Sequence, residues 1–149
     1  MMYLLDTNVV SESRKASRMQ AGSTKALANI DACVQRWFGS VDSSSLYLSV
    51  ITILELEIGC LLMERRDQSQ GAVLRRWLLD HVLPAFAGRV LPVDVAVAQR
   101  CAALHVPDPL ADRDSLIAAT ALVHGMTVVT RNTAHFDRTG VLLLNPWQP

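Results

Sequence analysis

The chain has 149 residues, 50% of them hydrophobic, which is the size of one domain with a core to bury and excludes a disordered chain. Lys+Arg and Asp+Glu each number 14, so the formal net charge is zero. Bulk attraction to nucleic acid is thereby excluded, and any such contact must use local patches.

A neutral chain with many apolar residues tends to associate with itself or a partner. The three cysteines, Cys33, Cys60 and Cys101, have no zinc or redox spacing and read as reduced thiols. No basic n-region precedes the first apolar run, and no apolar stretch reaches the roughly 18 residues of a membrane span. The expectation is a cytoplasmic protein without a membrane segment, folded as one domain over 1–149.

Met1 to Leu5 is a run without alternation that ends in Asp6, the pattern of a strand buried on both faces. Thr7 or Asn8 can cap a short helix over 9–14. Residues 14–24 are polar, basic and small and read as an exposed loop. Helical spacing follows over 25–38, with Leu27, Ile30, Val34 and Trp37 on one face and Gly39 as the stop.

Residues 46–50 read as a second strand. A helix over about 52–63 is apolar on nearly every side, which marks it as buried or as an interface. Residues 70–87 are helical, with a break at Pro84. Residues 89–93 form a short or edge strand, because of Pro92. Asp94 caps a helix to about His105, and 106–110 is a loop. Asp112 opens a helix that Gly125 stops, and strands follow over 126–130 and 141–144. The alternation predicts an α/β fold with a mainly parallel sheet flanked by helices.

In such folds ligands bind at the carboxyl edge of the strands. Asp6 lies there, although alone it reads best as a helix cap. Glu55 fits a capping box with Thr52, or else points into a polar cleft. Glu57 is two positions on, faces elsewhere, and is solvent-facing or an interface residue. Asp112 is the natural N-cap of its helix. Asp114 precedes a small-residue helix suited to close packing on the sheet. Thr130, Arg131 and Asn132 follow a strand to the same edge, where turn chemistry is the plainer explanation. The histidines show no ligand spacing.

Jointly, Asp6, Glu55, Asp114 and Asn132 fall at strand ends or helix starts. Carboxylates gathered this way repel by about 4 kcal/mol per pair at ~4 Å in an effective dielectric of ~20. A divalent cation relieves that repulsion, and hard oxygen ligands favour Mg²⁺ or Mn²⁺ over zinc. Such a site suits phosphodiester hydrolysis.

Four blocks carry a family resemblance: residues 3–12; residues 48–56 with Gly59; residues 114–121; and residues 130–136 with Thr139-Gly140-Val141 and Asn145-Pro146-Trp147. In order and over almost the whole chain, they resemble PIN-domain proteins, specifically VapC-type toxins of the FitB-like subgroup. The resemblance implies a Mg²⁺-dependent endoribonuclease toxin of a type II toxin–antitoxin system. Its partner would be a cognate VapB-type antitoxin, in an assembly built on toxin dimers.

The family's acids map onto Asp6, Glu55 and Asp114. The fourth position falls near Asn132, and an acid is also frequent where this chain has His135. Asp112 could substitute for the missing acid. On this reading Asp6 and Asp114 bind the metal directly, and Glu55 binds through water or orients the attacking water. Asn132 completes the polar wall, and Thr7 or Asn8 holds the loop. Arg14, Lys15, Arg18, Lys25 and Arg131 are candidate phosphate contacts, with a solvated loop the plainer role for the first four.

Two other classes compete. A phosphatase-like α/β hydrolase would use a strand-end Asp as nucleophile, but Asn8 stands where its second acid belongs. A catalytically impaired PIN fold would serve only to bind an antitoxin-like partner.

Overall fold

The structure, a computed structural model, describes residues 1–20 and 30–149. Five parallel strands form the sheet, in the order β3-β2-β1-β4-β5. They are β1 (Tyr3–Leu5), β2 (Leu46–Ser49), β3 (Val90–Leu91), β4 (Thr127–Val129) and β5 (Leu143–Leu144). The unalternating opening run is the central strand, pairing Leu4 with Tyr47 on one side and with Val128 on the other.

Its two core residues face opposite ways. Leu5 packs with Val9, Leu48, Leu56, Trp77 and Leu78, while Leu4 packs with Ile117, Ala118, Val128 and Phe136. Helices on both faces of the sheet explain why no polar face is written into β1. Pro92 follows β3, and β3 is an edge strand of two residues, as the proline requires.

Several element boundaries differ from the sequence expectations. The first helix, α1, spans Thr7–Gln20, so 14–20 is helix and not loop. Arg14, Lys15, Arg18 and Gln20 are good helix formers, and the stretch has no apolar pattern that would reveal a helix. Lys15 ion-pairs with Glu12 at 2.9 Å. Residues 21–29, which include Lys25 and the start of the expected second helix, lie outside the described residues.

The second helix, α2 (Ala32–Ser40), is capped by Asp31, whose carboxylate accepts from the Cys33 and Val34 N–H groups. Gly39 lies inside it and does not end it. The third, α3 (Val50–Arg66), is capped by Ser49 through the Ile51 N–H. Thr52 is therefore inside the helix, and the Thr52–Glu55 capping box does not form.

α4 (Gln68–Trp77) continues as a π-helical turn over Leu78–Val82 and ends in the short α5 (Leu83–Ala85), where Pro84 sits. Asp94 caps α6 (Val95–Leu104) through the Val97 N–H. The N-cap of α7 (Asp112–His124) is Ala111, which makes Asp112 its first residue. Gly125, with φ 65°, closes α7 in the left-handed region that favours glycine.

One side of α3 joins the core through Leu56 and Cys60. The other leaves Leu54, Leu61 and Leu62 exposed by 45, 59 and 63%, so the described residues do not cover this side of the helix. Glu57 and Glu64 of α3 both hold Arg75 of α4, at 2.6 and 2.9 Å. Glu57 is thus committed within the chain.

The two helices cross closely at Gly71, where a Cβ would lie 2.4 Å from the Glu64 Cα. At Gly59 a Cβ would meet nothing within 4 Å. The same substitution should act with opposite signs at these two positions. Gly71→Ala is expected to lose about 1–3 kcal/mol through overpacking, and Gly59→Ala to gain about 0.5–1 kcal/mol of helix propensity. Urea unfolding of both variants checks this, and equal signs would contradict the close crossing.

Candidate functional site

Asp6 continues the β1 ladder: its N–H donates to the Val129 carbonyl at 2.9 Å, and its own carbonyl accepts from Val9 and so starts α1. Its side chain is 6% exposed yet has a partner for each oxygen. Oδ1 accepts the Thr7 N–H at 2.8 Å, and Oδ2 accepts the Thr130 hydroxyl at 2.8 Å and the Asn8 amide at 3.3 Å. Thr130, fully buried after β4, also accepts the Asn132 N–H at 3.0 Å. The Asn8 oxygen accepts the Arg131 N–H at 3.2 Å. The ends of β1 and β4 are thereby laced together around one carboxylate.

Glu55 is freed from capping because Ser49 takes that role. It reaches the same edge, where the Thr7 hydroxyl donates to its Oε1 at 2.8 Å. Arg113 lies 3.9 Å from its other oxygen, with half of the arginine side chain exposed, so that pair contributes little.

Asp114 occupies the first turn of α7, and its Oδ2 lies 3.4 Å from His135 Nδ1. His135 sits on a 3₁₀ segment, Thr133–Thr139. Sequence spacing gave this histidine no role; its nearness to Asp114 arises from packing of that segment on α7.

The start of α7 is fixed from behind. Ser115, 1% exposed, donates its hydroxyl to the Asp112 carbonyl at 2.9 Å and lies 3.0 Å from His105 Nε2. His105 Nδ1 accepts the Leu110 N–H, which places the ring proton on Nε2, facing Ser115.

Not every candidate converges. Asp112 is exposed, and its carbonyl, not its carboxylate, makes the contact with Ser115. Asn132 is exposed and joins through its backbone N–H. The guanidinium of Arg14 lies 6.0 Å from the Trp77 ring, on the α4 side. Arg131 stacks over Trp147 at 5.2 Å. Among the described residues, no three His, Cys, Asp or Glu side chains are gathered closely enough to hold a metal ion.

Burial pushes the Asp6 carboxyl above its ordinary value. The Thr130 hydroxyl and Thr7 N–H pull it down, the Asp114 charge pushes it up, and His135 pulls it down slightly. A carboxyl whose value is raised on folding contributes stability below the unfolded value of about 4 and loses it as pH rises through the folded value. The metal-free fold therefore bears a cost for ionising Asp6 at neutral pH. Titration of the Asp6 carboxyl by ¹³C NMR should place its midpoint above that of an ordinary aspartate. Asp114→Asn should lower the midpoint and Thr130→Val should raise it; an ordinary midpoint that neither variant moves would contradict this electrostatic picture.

Residues 3–142 match the PIN domain. The chain is 36% identical to VapC ribonuclease Y4jK of Sinorhizobium fredii, over 99% of each chain. It is also 36% identical to toxin FitB of Neisseria gonorrhoeae, over 98% of this chain and 99% of that one. The crystal structure of FitAcB from Neisseria gonorrhoeae superposes with a TM-score of 0.84 at 35% identity, covering 99% of this chain and 100% of the other. DNA-bound VapBC from Salmonella typhimurium, 21% identical with a TM-score of 0.66 over 98% of each chain, shares the fold. No helix among the described residues is long and apolar enough to cross a membrane. With the fold, four ordered sequence blocks and full-length relatives in agreement, the chain belongs to the PIN-domain family, in its VapC-type, FitB-like group.

Proposed function

We propose that this protein is a Mg²⁺-dependent endoribonuclease acting as the toxin of a type II toxin–antitoxin pair. The observation that carries the reading is a buried carboxylate, Asp6, held at the carboxyl end of the central strand within the field of a second, Asp114. The names of its full-length relatives, a VapC ribonuclease and a toxin, support the same class of activity.

The donor set fits Mg²⁺. The ion needs only one or two carboxylates and keeps several waters, which agrees with two acids in electrostatic reach and the absence of a three-residue cage among the described residues. Mn²⁺ takes the same ligands. Asp6 and Asp114 would hold the ion, which when bound supplies an activated water and neutralises charge on the phosphoryl oxygens.

The remaining roles fall to side chains around it. Thr130 and Asn8 fix the Asp6 carboxylate in place. Thr7 pins Glu55, which orients the attacking water and accepts its proton. The Asn132 amide completes the polar wall, and Arg131, exposed beside Asn8, contacts substrate phosphate. The scissile RNA is single-stranded or looped, since its backbone must enter the edge. Asp112 is given no part in this arrangement, because it is exposed and its contact with Ser115 runs through its carbonyl. The phosphatase-like alternative loses its footing at Asn8, whose amide donates to Asp6 where a second acid would be required.

A VapB-type antitoxin is the expected restraint on this activity, and a second toxin copy the expected neighbour. The exposed leucines of α3 are the surface for such association, because an apolar face of this kind seeks cover. The binding-only reading draws on Asn132 standing in place of an acid.

Purified chain freed of any partner should cleave RNA with Mg²⁺ and stop with EDTA. Asp6→Asn and Asp114→Asn should each slow cleavage at least about a hundredfold, and Thr7→Val about tenfold. Cleavage by Asp6→Asn at the wild-type rate would refute the mechanism. Calorimetry without any Mg²⁺ binding to the wild type would favour the binding-only reading.

A further inference from the structure

α2 and residues 144–149 line an open pocket of about 490 Å³, within the range of small-molecule sites. Because β5 runs parallel beside β4, the chain after Leu144 leaves the sheet at the edge that carries Thr130 and Asp6. The turn there is fixed: Asn145 Oδ1 accepts the Trp147 N–H at 3.0 Å, and the Asn145 carbonyl accepts the Gln148 N–H at 3.2 Å.

Trp147 lies under the Arg131 guanidinium. Arg131 donates its N–H to Asn8, and Asn8 donates to Asp6. One run of contacts therefore ties the cavity wall to the buried carboxylate.

The opposite wall is α2, which contributes Arg36 and Trp37. Trp37 is braced edge-on by Tyr3 and Phe38, each at 5.3 Å between ring centroids. Asn145, Pro146 and Gln148 face them, and among the described residues no acidic side chain lines the space. An aromatic ring offers a surface for base stacking, two carboxamides match the donor and acceptor edges of a base, and a guanidinium suits a phosphate. The Asn145 oxygen is already committed to Trp147, so its NH₂ end is the one left to donate.

Building on the ribonuclease reading above, we propose that this cavity is a nucleotide subsite. It takes one base flanking the scissile phosphate and so biases where the RNA is cut. The remaining wall chemistry, neutral amides and prolines with the Ser40 hydroxyl, the Cys33 thiol and Leu144, discriminates among bases by shape and hydrogen bonding rather than by charge.

The test adds AMP, CMP, GMP and UMP separately to the metal-free protein and follows the indole N–H of Trp37 and the side-chain amides of Asn145 and Gln148 by NMR. The expected result is saturable perturbation of these signals, with affinities that differ among the four. Arg36→Ala combined with Gln148→Ala should weaken binding about tenfold or more. The same double variant should redistribute the cleavage sites on a long RNA while Mg²⁺ affinity by calorimetry stays at the wild-type value.

No perturbation at millimolar nucleotide, or perturbation that the double variant leaves intact, overturns the subsite. RNA cleavage without nucleotide perturbation overturns the subsite alone. Nucleotide binding in a chain that cleaves no RNA overturns the ribonuclease reading and the subsite's role in cleavage.

Discussion

A charged group placed at the end of a fully buried strand is the constraint around which this fold is arranged. Asp6 follows directly on Leu4 and Leu5, which are 0 and 1% exposed, and burial works against its ionised form. The surrounding chain compensates with hydrogen bonds: Thr7 N–H on one oxygen, Thr130 and Asn8 on the other. Those donors come from the start of α1 and the turn after β4, so stabilising the carboxylate also sets the geometry of both. The compensation is incomplete: burial outweighs these bonds, and the nearby Asp114 charge adds to the cost. A site held in this state gains from a cation, and a preference for positive charge is what metal-assisted phosphodiester chemistry requires.

The second layer of support is apolar and polar in alternation. Small residues Ala118, Ala119 and Ala121, all 0% exposed, let α7 pack closely and carry Asp114 towards the sheet edge. The part-buried Ser115–His105 contact holds the beginning of that helix. On the other face, Leu56 and Cys60 seat α3 in the core, which brings Glu55 within hydrogen-bond reach of Thr7. Glu55 and Asp114 are thus carried on helices whose opposite faces are buried, an arrangement that keeps functional groups in place at low entropic cost. The same helix presents Leu54, Leu61 and Leu62 outwards.

Much of this was legible in the residues. Five apolar or aromatic residues ending in an acid announced the central strand and its charged terminus, and the small-residue run after Asp114 announced close packing. Pro92 correctly marked an edge strand. Glu55 was ambiguous, because Thr52 three residues earlier satisfied the capping-box pattern equally well. The ambiguity is removed by Ser49, a cap that sequence spacing alone could not rank above Thr52. The extension of α1 through Gln20 was hidden because residues 14–20 have no hydrophobic period. His135 was hidden for a different reason: its approach to Asp114 depends on how a 3₁₀ segment docks on α7, and no local pattern encodes that. The cavity between α2 and residues 144–149 likewise joins segments over a hundred residues apart, Trp37 and Gln148, through sheet order alone.

What unites these features is the claim that Asp6 and Asp114 act together on one divalent ion. The most direct measurement is anomalous diffraction from crystals of the partner-free protein soaked in Mn²⁺, collected at the manganese edge. The account predicts one strong peak within coordination distance of both carboxylates, with Glu55 beyond direct contact and reached through water. A peak that contacts neither carboxylate, or none at Mn²⁺ concentrations that support RNA cleavage, would contradict it.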